Sequence, residues 1–175
     1  MRLREDLRSK LSGRVALVGV GNEVFGDDGV GPWVAQQLEQ AGAQEVVDSG
    51  TTPELDTWRI REIAPDTVLF VDAVDFGGSP GEVVFLEPAA LRRTGFDTHR
   101  PPLKLTMQYL EQDLNCKCFL LAIQPKDTRY ESPMCNEVSS TARNIIQILL
   151  QEVFTPGHRM EKGNEGERFS LGLAG

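Results

Sequence analysis

Basic side chains are scarce in this sequence, and no segment concentrates them. The chain of 175 residues carries 18 Lys and Arg against 26 Asp and Glu, which gives a formal net charge of -8 at pH 7. An acidic surface repels a phosphate backbone unless a local basic stripe offsets the charge, and no such stripe is present. The composition therefore argues against binding to nucleic acid.

Long apolar runs are also missing. No stretch approaches the roughly 18 apolar residues that a membrane span requires. The first ten residues, MRLREDLRSK, carry charge without the apolar segment of a secretory signal. We therefore expect a cytoplasmic protein that does not bind membranes.

Cysteine is rare, and its number is odd. Cys116, Cys118 and Cys135 are the three cysteines of the chain. This number suits reduced thiols better than a disulfide framework. A Cys-x-Cys pair can bind metal, but buried structural thiols are the favoured interpretation.

Apolar, β-branched runs alternate with helical patterns through most of the chain. Near-continuous apolar strands separated by helices predict a single α/β domain with a twisted, mostly parallel sheet of about five strands and helices on both faces. The link at 74–83 is too short for a crossover helix, so the strand after it should pair antiparallel or lie at an edge. The predicted strands are 14–20, 45–50, 67–74, 81–87 and 116–124, and the predicted helices are 29–41, 53–63, 102–114 and 133–154.

Three segments are expected along the chain. Residues 1–13 form an N-terminal extension, residues 14–154 form the folded domain, and residues 155–175 form a tail rich in glycine and charge, which predicts disorder. Within the helix at 53–63, Leu55, Trp58 and Ile63 are predicted to lie near one face.

The run GVGNEVFGDDGVG, residues 19–31, follows the first predicted strand. A dinucleotide fingerprint would need a third glycine where Val24 stands, and a P-loop would need a Gly-Lys-Ser/Thr sequence that is absent. Asp27 and Asp28 would also repel a phosphate at the start of the following helix. A nucleotide-binding enzyme is thus a weak alternative. The glycines at 19 and 21 are expected to turn the chain out of the strand.

Capping the helix start requires one aspartate, and the run supplies two. We assign that supporting role to Asp27 and expect Asp28 to present its carboxylate at the C-terminal edge of the first strand, where open α/β sheets bind ligands. Asp72 ends another apolar strand, where a carboxylate is costly to bury without a partner or a metal. Asp75, just after it, is expected to organise the turn FGGSPG.

His99 is the only histidine outside the predicted tail, which contains His158. A single loop histidine is more often a solvated surface residue than a ligand. With Asp28 and Asp72 it would nevertheless complete a set of two carboxylates and one imidazole, which suits nickel or zinc. The sequence contains no H-E-x-x-H motif, so a zincin mechanism has no support.

At these residues the sequence resembles the hydrogenase maturation endopeptidases, and most of all the branch that serves hydrogenase-3 type, formate-linked enzymes. The matching motifs include GDDGVGP within 18–32, DSGTTPE at 48–54, VDAVDFGGSPGEV within 61–83, THRPPL at 98–103 and AIQPKDTRYESPM at 122–134. The resemblance implies that residues 14–154 form a peptidase domain. It also implies one cut, which removes the C-terminal extension from the nickel-loaded large-subunit precursor of a [NiFe]-hydrogenase.

The resemblance further implies that Asp28, Asp72 and His99 recognise nickel, the metal already seated in the precursor. The nickel would act as a checkpoint and as a Lewis acid, and Asp28 or Asp72 would be the candidate general base of an aspartic-type peptidase. A different class of function uses the same residues, namely a non-catalytic nickel carrier or assembly chaperone.

Overall fold

The computed structural model describes residues 3–92 and 101–155. Its sheet has the strand order β2-β1-β3-β5-β4, and within it only β4 runs antiparallel, paired to β5 at the edge. This confirms the predicted α/β fold with a mostly parallel sheet, including the antiparallel edge strand. The strands are β1 (Val15–Gly19), β2 (Val46–Asp48), β3 (Thr67–Ala73), β4 (Val83–Leu86) and β5 (Lys117–Ile123).

Helices cover both faces of the sheet, because the central strands are apolar on both sides. One face packs against α1, α2 and α5, and the other packs against α3 and α4. The helices are α1 (Leu3–Lys10), α2 (Val30–Gln40), α3 (Thr57–Ile63), α4 (Pro101–Leu114) and α5 (Asn136–Glu152). None of the helices in the described ranges is long and apolar enough to cross a membrane.

Two local features differ from the sequence prediction. Helix α1 was not predicted because its residues are mostly charged, yet Leu7 is fully buried in the core. The helix predicted at 53–63 divides into a 3-10 turn at Pro53–Asp56 and α3. Because a 3-10 turn has three residues per turn instead of 3.6, it shifts the inward face, so that Leu55 and Trp58 are exposed and Ile60 is buried.

The three cysteines are free thiols, as predicted. Cys116 and Cys118 are buried in the core beneath α3 and α4. Cys135 is half-buried, and its Sγ accepts a hydrogen bond from the Val138 amide at the start of α5. All three thiols therefore have packing or capping roles within the fold.

The sheet has a topological switch point between β1 and β3. The chain leaves β1 through α2 to reach β2 on one side, whereas β3 is followed by the strands on the other side. Where the strand order reverses, the connections diverge to opposite faces and leave a crevice at the C-terminal edge, which is where α/β proteins bind ligands. The loops that follow β1 and β3 border this crevice.

Candidate active site

The glycines after β1 allow the next segment to fold back against the sheet. A side chain at Gly19 would collide with the backbone of Gly31, so this position is small because α2 packs closely on β1. Gly21 has a φ of +146°, and a side chain there would collide with the carbonyl of Asp28. The predicted turning role thus fits Gly21, whereas Gly19 serves close packing between helix and strand.

Asp28 lies in a 3-10 turn, Gly26–Gly29, between β1 and α2. Its Oδ2 accepts a hydrogen bond from the Asn22 amide at 2.8 Å, and its own amide donates to the Phe25 carbonyl at 3.1 Å. The side chain is half-buried. These contacts orient the carboxylate at the C-terminal edge of β1 and leave part of it open to solvent.

Asp72 lies near the end of β3, and its side chain is 3% exposed. Strand alternation places it on the same face as Phe70, the face covered by α3 and α4. The preceding residue, Val71, accepts a hydrogen bond from the Val20 amide at 2.9 Å. Because the turn that contains Asp28 also packs against β3, both predicted carboxylates border the same crevice.

His99 lies outside the described residues, so its predicted place beside these aspartates stays a prediction. Helix α4, which begins two positions later at Pro101, covers the face of the sheet to which Asp72 belongs. Within residues 3–92 and 101–155, no three His, Cys, Asp or Glu side chains are grouped closely enough to hold a metal ion. A three-ligand site in the crevice would therefore depend on His99.

Asp27 has a different role from the predicted helix cap. Neither the 3-10 turn nor α2 receives a side-chain cap hydrogen bond. Instead, the fully buried Asp27 carboxylate accepts three backbone hydrogen bonds from a distant loop. Their donors are the amides of Lys126 at 2.7 Å, Asp127 at 2.9 Å and Cys135 at 2.7 Å.

The segment 125–135 is consequently fixed against the loop that carries Asp28. The Asp27 amide donates to the Asp127 carbonyl at 2.9 Å, which adds a fourth bond between the two segments. Because these partners lie about a hundred positions apart, no local pattern in the sequence could have predicted the contact. We refer to these four bonds as the Asp27 clamp.

Gln124 organises the loop after β3 in a similar way. Its buried side chain accepts hydrogen bonds from the amides of Phe76 at 2.9 Å and Gly78 at 3.1 Å, and it donates to Asp75 at 3.0 Å. Asp75 also accepts from the Gly77 amide at 3.0 Å, which agrees with its predicted role in the turn. The hydrogen bonds from Gln124 and Gly77 hold the pKa of Asp75 below its usual value.

A further carboxylate, Asp48, ends β2 at the same edge of the sheet. Its Oδ2 accepts from Gln36 on α2 at 3.1 Å, and its Oδ1 accepts from the Gly50 amide at 3.1 Å. Asp48 has no role predicted from the sequence. Its contacts join β2 to α2 and to the turn that follows, which indicates a positioning role at the edge of the crevice.

Comparison with known proteins identifies relatives of this fold. The sequence profile of the HycI family, described as hydrogenase maturation protease, matches residues 32–153, a span that includes Asp72 and His99 and begins just after Asp28. The hydrogenase 3 maturation protease of Escherichia coli K12 is 35% identical over 136 residues, covering 76% of this chain and 86% of that protein.

Two solved structures have the same architecture. The [NiFe] hydrogenase maturation protease HycI of Thermococcus kodakarensis KOD1 is 27% identical, with a TM-score of 0.76, over 86% of this chain and 97% of the other. The endopeptidase HycI of Escherichia coli is 32% identical, with a TM-score of 0.68, over 77% and 87%. With the family profile and the similarity to the Escherichia coli protease, these matches show that the chain belongs to the hydrogenase maturation protease family.

Proposed function

We propose that this protein is a cytoplasmic, nickel-dependent endopeptidase of the aspartic type that removes the C-terminal extension of a [NiFe]-hydrogenase large-subunit precursor. The proposal rests on membership of the maturation protease family. The similarity to hydrogenase 3 maturation proteases favours a precursor of that type. The observation that carries the proposal is the position of Asp28 in the turn after β1 and of Asp72 near the C-terminal end of β3, the strand against which that turn packs.

Nickel enters this reaction as part of the substrate, seated in the precursor. The donors that the protease offers fit such an ion, because carboxylate oxygen and imidazole nitrogen both bind nickel. Asp72 is almost completely removed from water, and a buried carboxylate is stabilised by a cationic partner. Asp28, Asp72 and His99 would contact the precursor's nickel from the protease side, so that only a loaded precursor binds productively.

Peptide hydrolysis at this site requires a water molecule, a base and polarisation of the scissile carbonyl. Asp28 is the better placed base, because Asp28 is only half-buried whereas Asp72 is buried. The base takes a proton from water while the oxygen adds to the carbonyl carbon. The C–N bond then breaks, and the proton passes to the departing amine. The nickel of the substrate would polarise that carbonyl.

The direct test compares two forms of the precursor. The purified protein is incubated with nickel-loaded and with nickel-free large-subunit precursor, and the products are weighed by mass spectrometry. We expect a released C-terminal peptide from the loaded form alone. Equal cleavage of the nickel-free form would contradict the checkpoint role of nickel, and an intact precursor in both samples would contradict the peptidase proposal.

The same samples separate the peptidase from a nickel carrier. A carrier would bind nickel stoichiometrically as an isolated protein and leave the length of the precursor unchanged. A nucleotide-binding enzyme would instead be protected against thermal unfolding by adenine nucleotides. Nickel-dependent release of a peptide is expected from the peptidase and from neither alternative.

A further inference from the structure

Three large apolar side chains are exposed beside the candidate active site. Val24 is 46% exposed, Phe25 is 38% exposed and Tyr130 is 65% exposed. The rings of Phe25 and Tyr130 pack edge to face, with centroids 5.7 Å apart. Val24 joins them because its carbonyl accepts a hydrogen bond from the Glu131 amide at 2.7 Å. We call this surface the aromatic platform.

The platform adjoins Asp28. Phe25 and Asp28 belong to one tight turn, in which the Asp28 amide donates to the Phe25 carbonyl at 3.1 Å. The Phe25 amide in turn donates to the Asn22 carbonyl at 3.1 Å, and Asn22 donates to the Asp28 carboxylate. A substrate polypeptide that reaches Asp28 therefore passes close to the rings of Phe25 and Tyr130.

The platform is also held in a fixed arrangement. Its two halves come from the loop after β1 and from the segment 125–135, and the Asp27 clamp fastens these to each other with four hydrogen bonds. An exposed apolar surface that is already ordered can bind a partner without the entropic cost of arranging its side chains. Exposed aromatic residues of this kind are enriched at the centres of protein interfaces.

We infer that the aromatic platform binds an apolar side chain of the precursor segment that flanks the cleaved bond. This inference rests on the proposed function and names a binding subsite for it. Continuity of the platform with the turn that holds Asp28 supports the substrate as the occupant. The composition of the platform supports an apolar side chain as the part that binds, because the exposed surface consists of Val24, Phe25 and Tyr130.

The test measures cleavage kinetics with nickel-loaded precursor. We expect Tyr130→Ala and Phe25→Ala to raise KM about five- to tenfold with kcat within about twofold, as expected for loss of an aromatic contact made before and during the reaction. Tyr130→Phe should keep the wild-type KM, because the ring remains. Tyr109→Ala is the matched control, since Tyr109 is the other tyrosine of the chain and lies on α4, bonded to Arg61.

A second arm changes the substrate. When apolar residues beside the cut are replaced by serine, KM should rise for the wild-type protein and should not rise further for Tyr130→Ala, because the two changes remove the same contact. Additive effects of the two changes would overturn the subsite. Thermal unfolding of each variant shows whether it is folded, and Tyr130 is exposed enough for its truncation to leave the core intact.

The outcomes separate this inference from the proposed function. A wild-type protein that leaves the loaded precursor intact would overturn both. Wild-type cleavage with an unchanged KM in Tyr130→Ala and Phe25→Ala would overturn the subsite alone. If light scattering showed a wild-type dimer that Tyr130→Ala converts to a monomer, with KM unchanged, the platform would be a surface for self-association and the subsite would again be wrong.

Discussion

The loop after β1 and the segment that spans the end of β3 and its following turn each contain two aspartates, and in each the two carboxylates have different contacts. In the first loop, Asp27 binds backbone amides and Asp28 borders the crevice. In the second, Asp75 binds Gly77 and Gln124, whereas Asp72 borders the crevice. One carboxylate of each pair therefore shapes the loop, and the other is the one to which we assign a role in the proposed reaction.

The two loop-shaping aspartates differ in burial and in the reach of their bonds. Asp27 is fully buried and joins segments about a hundred residues apart, whereas Asp75 is exposed and bonds mainly within its own turn and to Gln124. Hydrogen bonds to a buried charge are stronger than those exposed to water. Removal of the Asp27 carboxylate should therefore cost far more stability than removal of the Asp75 carboxylate.

The largest expected effect is that of Asp27→Ala on the free energy of unfolding. The substitution leaves the amides of Lys126, Asp127 and Cys135 without their acceptor, which should cost about 3–5 kcal/mol. Asp27→Asn should cost roughly half as much, because an amide oxygen at the Oδ2 position keeps two of the three donors while its NH₂ faces the third. Urea unfolding followed by circular dichroism measures both changes.

Asp28→Asn is the control for this comparison. Its amide oxygen can still accept from Asn22, so we expect a loss of stability below about 1 kcal/mol. An Asp27→Ala protein that unfolds at the same urea concentration as Asp28→Asn would contradict the structural role of the clamp.

The next largest effect concerns activity. Asp28→Asn and Asp72→Asn should each lower kcat/KM for nickel-loaded precursor at least about 100-fold, or roughly 2.7 kcal/mol of transition-state stabilisation, because each removes a charge from the crevice. Asp75→Asn is the matched control, with the same substitution three positions after Asp72, and it should stay within about twofold of wild type. Processing is followed by the mass of the released peptide.

Wild-type processing rates in Asp28→Asn or Asp72→Asn would show that the division of roles is wrong. A loss in Asp75→Asn equal to that in Asp72→Asn would show that the turn after β3 also contributes to catalysis, and that the two carboxylates are not functionally distinct.

These roles could be predicted from the sequence only where the signal is local. The glycine run after an apolar strand predicts a loop at the sheet edge. The second aspartate of that loop and the charge at the end of another apolar strand mark Asp28 and Asp72 as candidates, and their roles in the reaction stay predictions. Asp75 could be assigned to its turn because the glycines that follow it mark that turn. Such signals span only a few residues, so they can be recognised without knowledge of the fold.

The contacts of Asp27 and Gln124 could not be predicted, since they depend on which loops meet after folding. Helix α1 was missed for a related reason, because its buried Leu7 has few apolar neighbours in sequence and gains its partners from the core. The aromatic platform also depends on long-range contacts, because the Asp27 clamp brings Phe25 and Tyr130 together. Long-range packing thus decides the features on which the binding subsite depends.

The smallest expected effect is the pH dependence that Asp75 gives to stability. Hydrogen bonds from Gln124 and Gly77 lower its pKa in the folded state from the ordinary value of 3.8, so folding favours the ionised form. Its contribution is therefore fully present above that ordinary value and is lost as the pH falls through the lower pKa of the folded state. The urea midpoint of wild type should exceed that of Asp75→Asn slightly at pH 7, and the two should converge in acid. Because Asp75 is exposed, water screens the interaction and keeps the difference small.

A gap between the urea midpoints that stays constant down to strong acid would mean that the Asp75 side chain acts through its shape and not through its charge. Asp75 would then differ from Asp27 in kind as well as in degree.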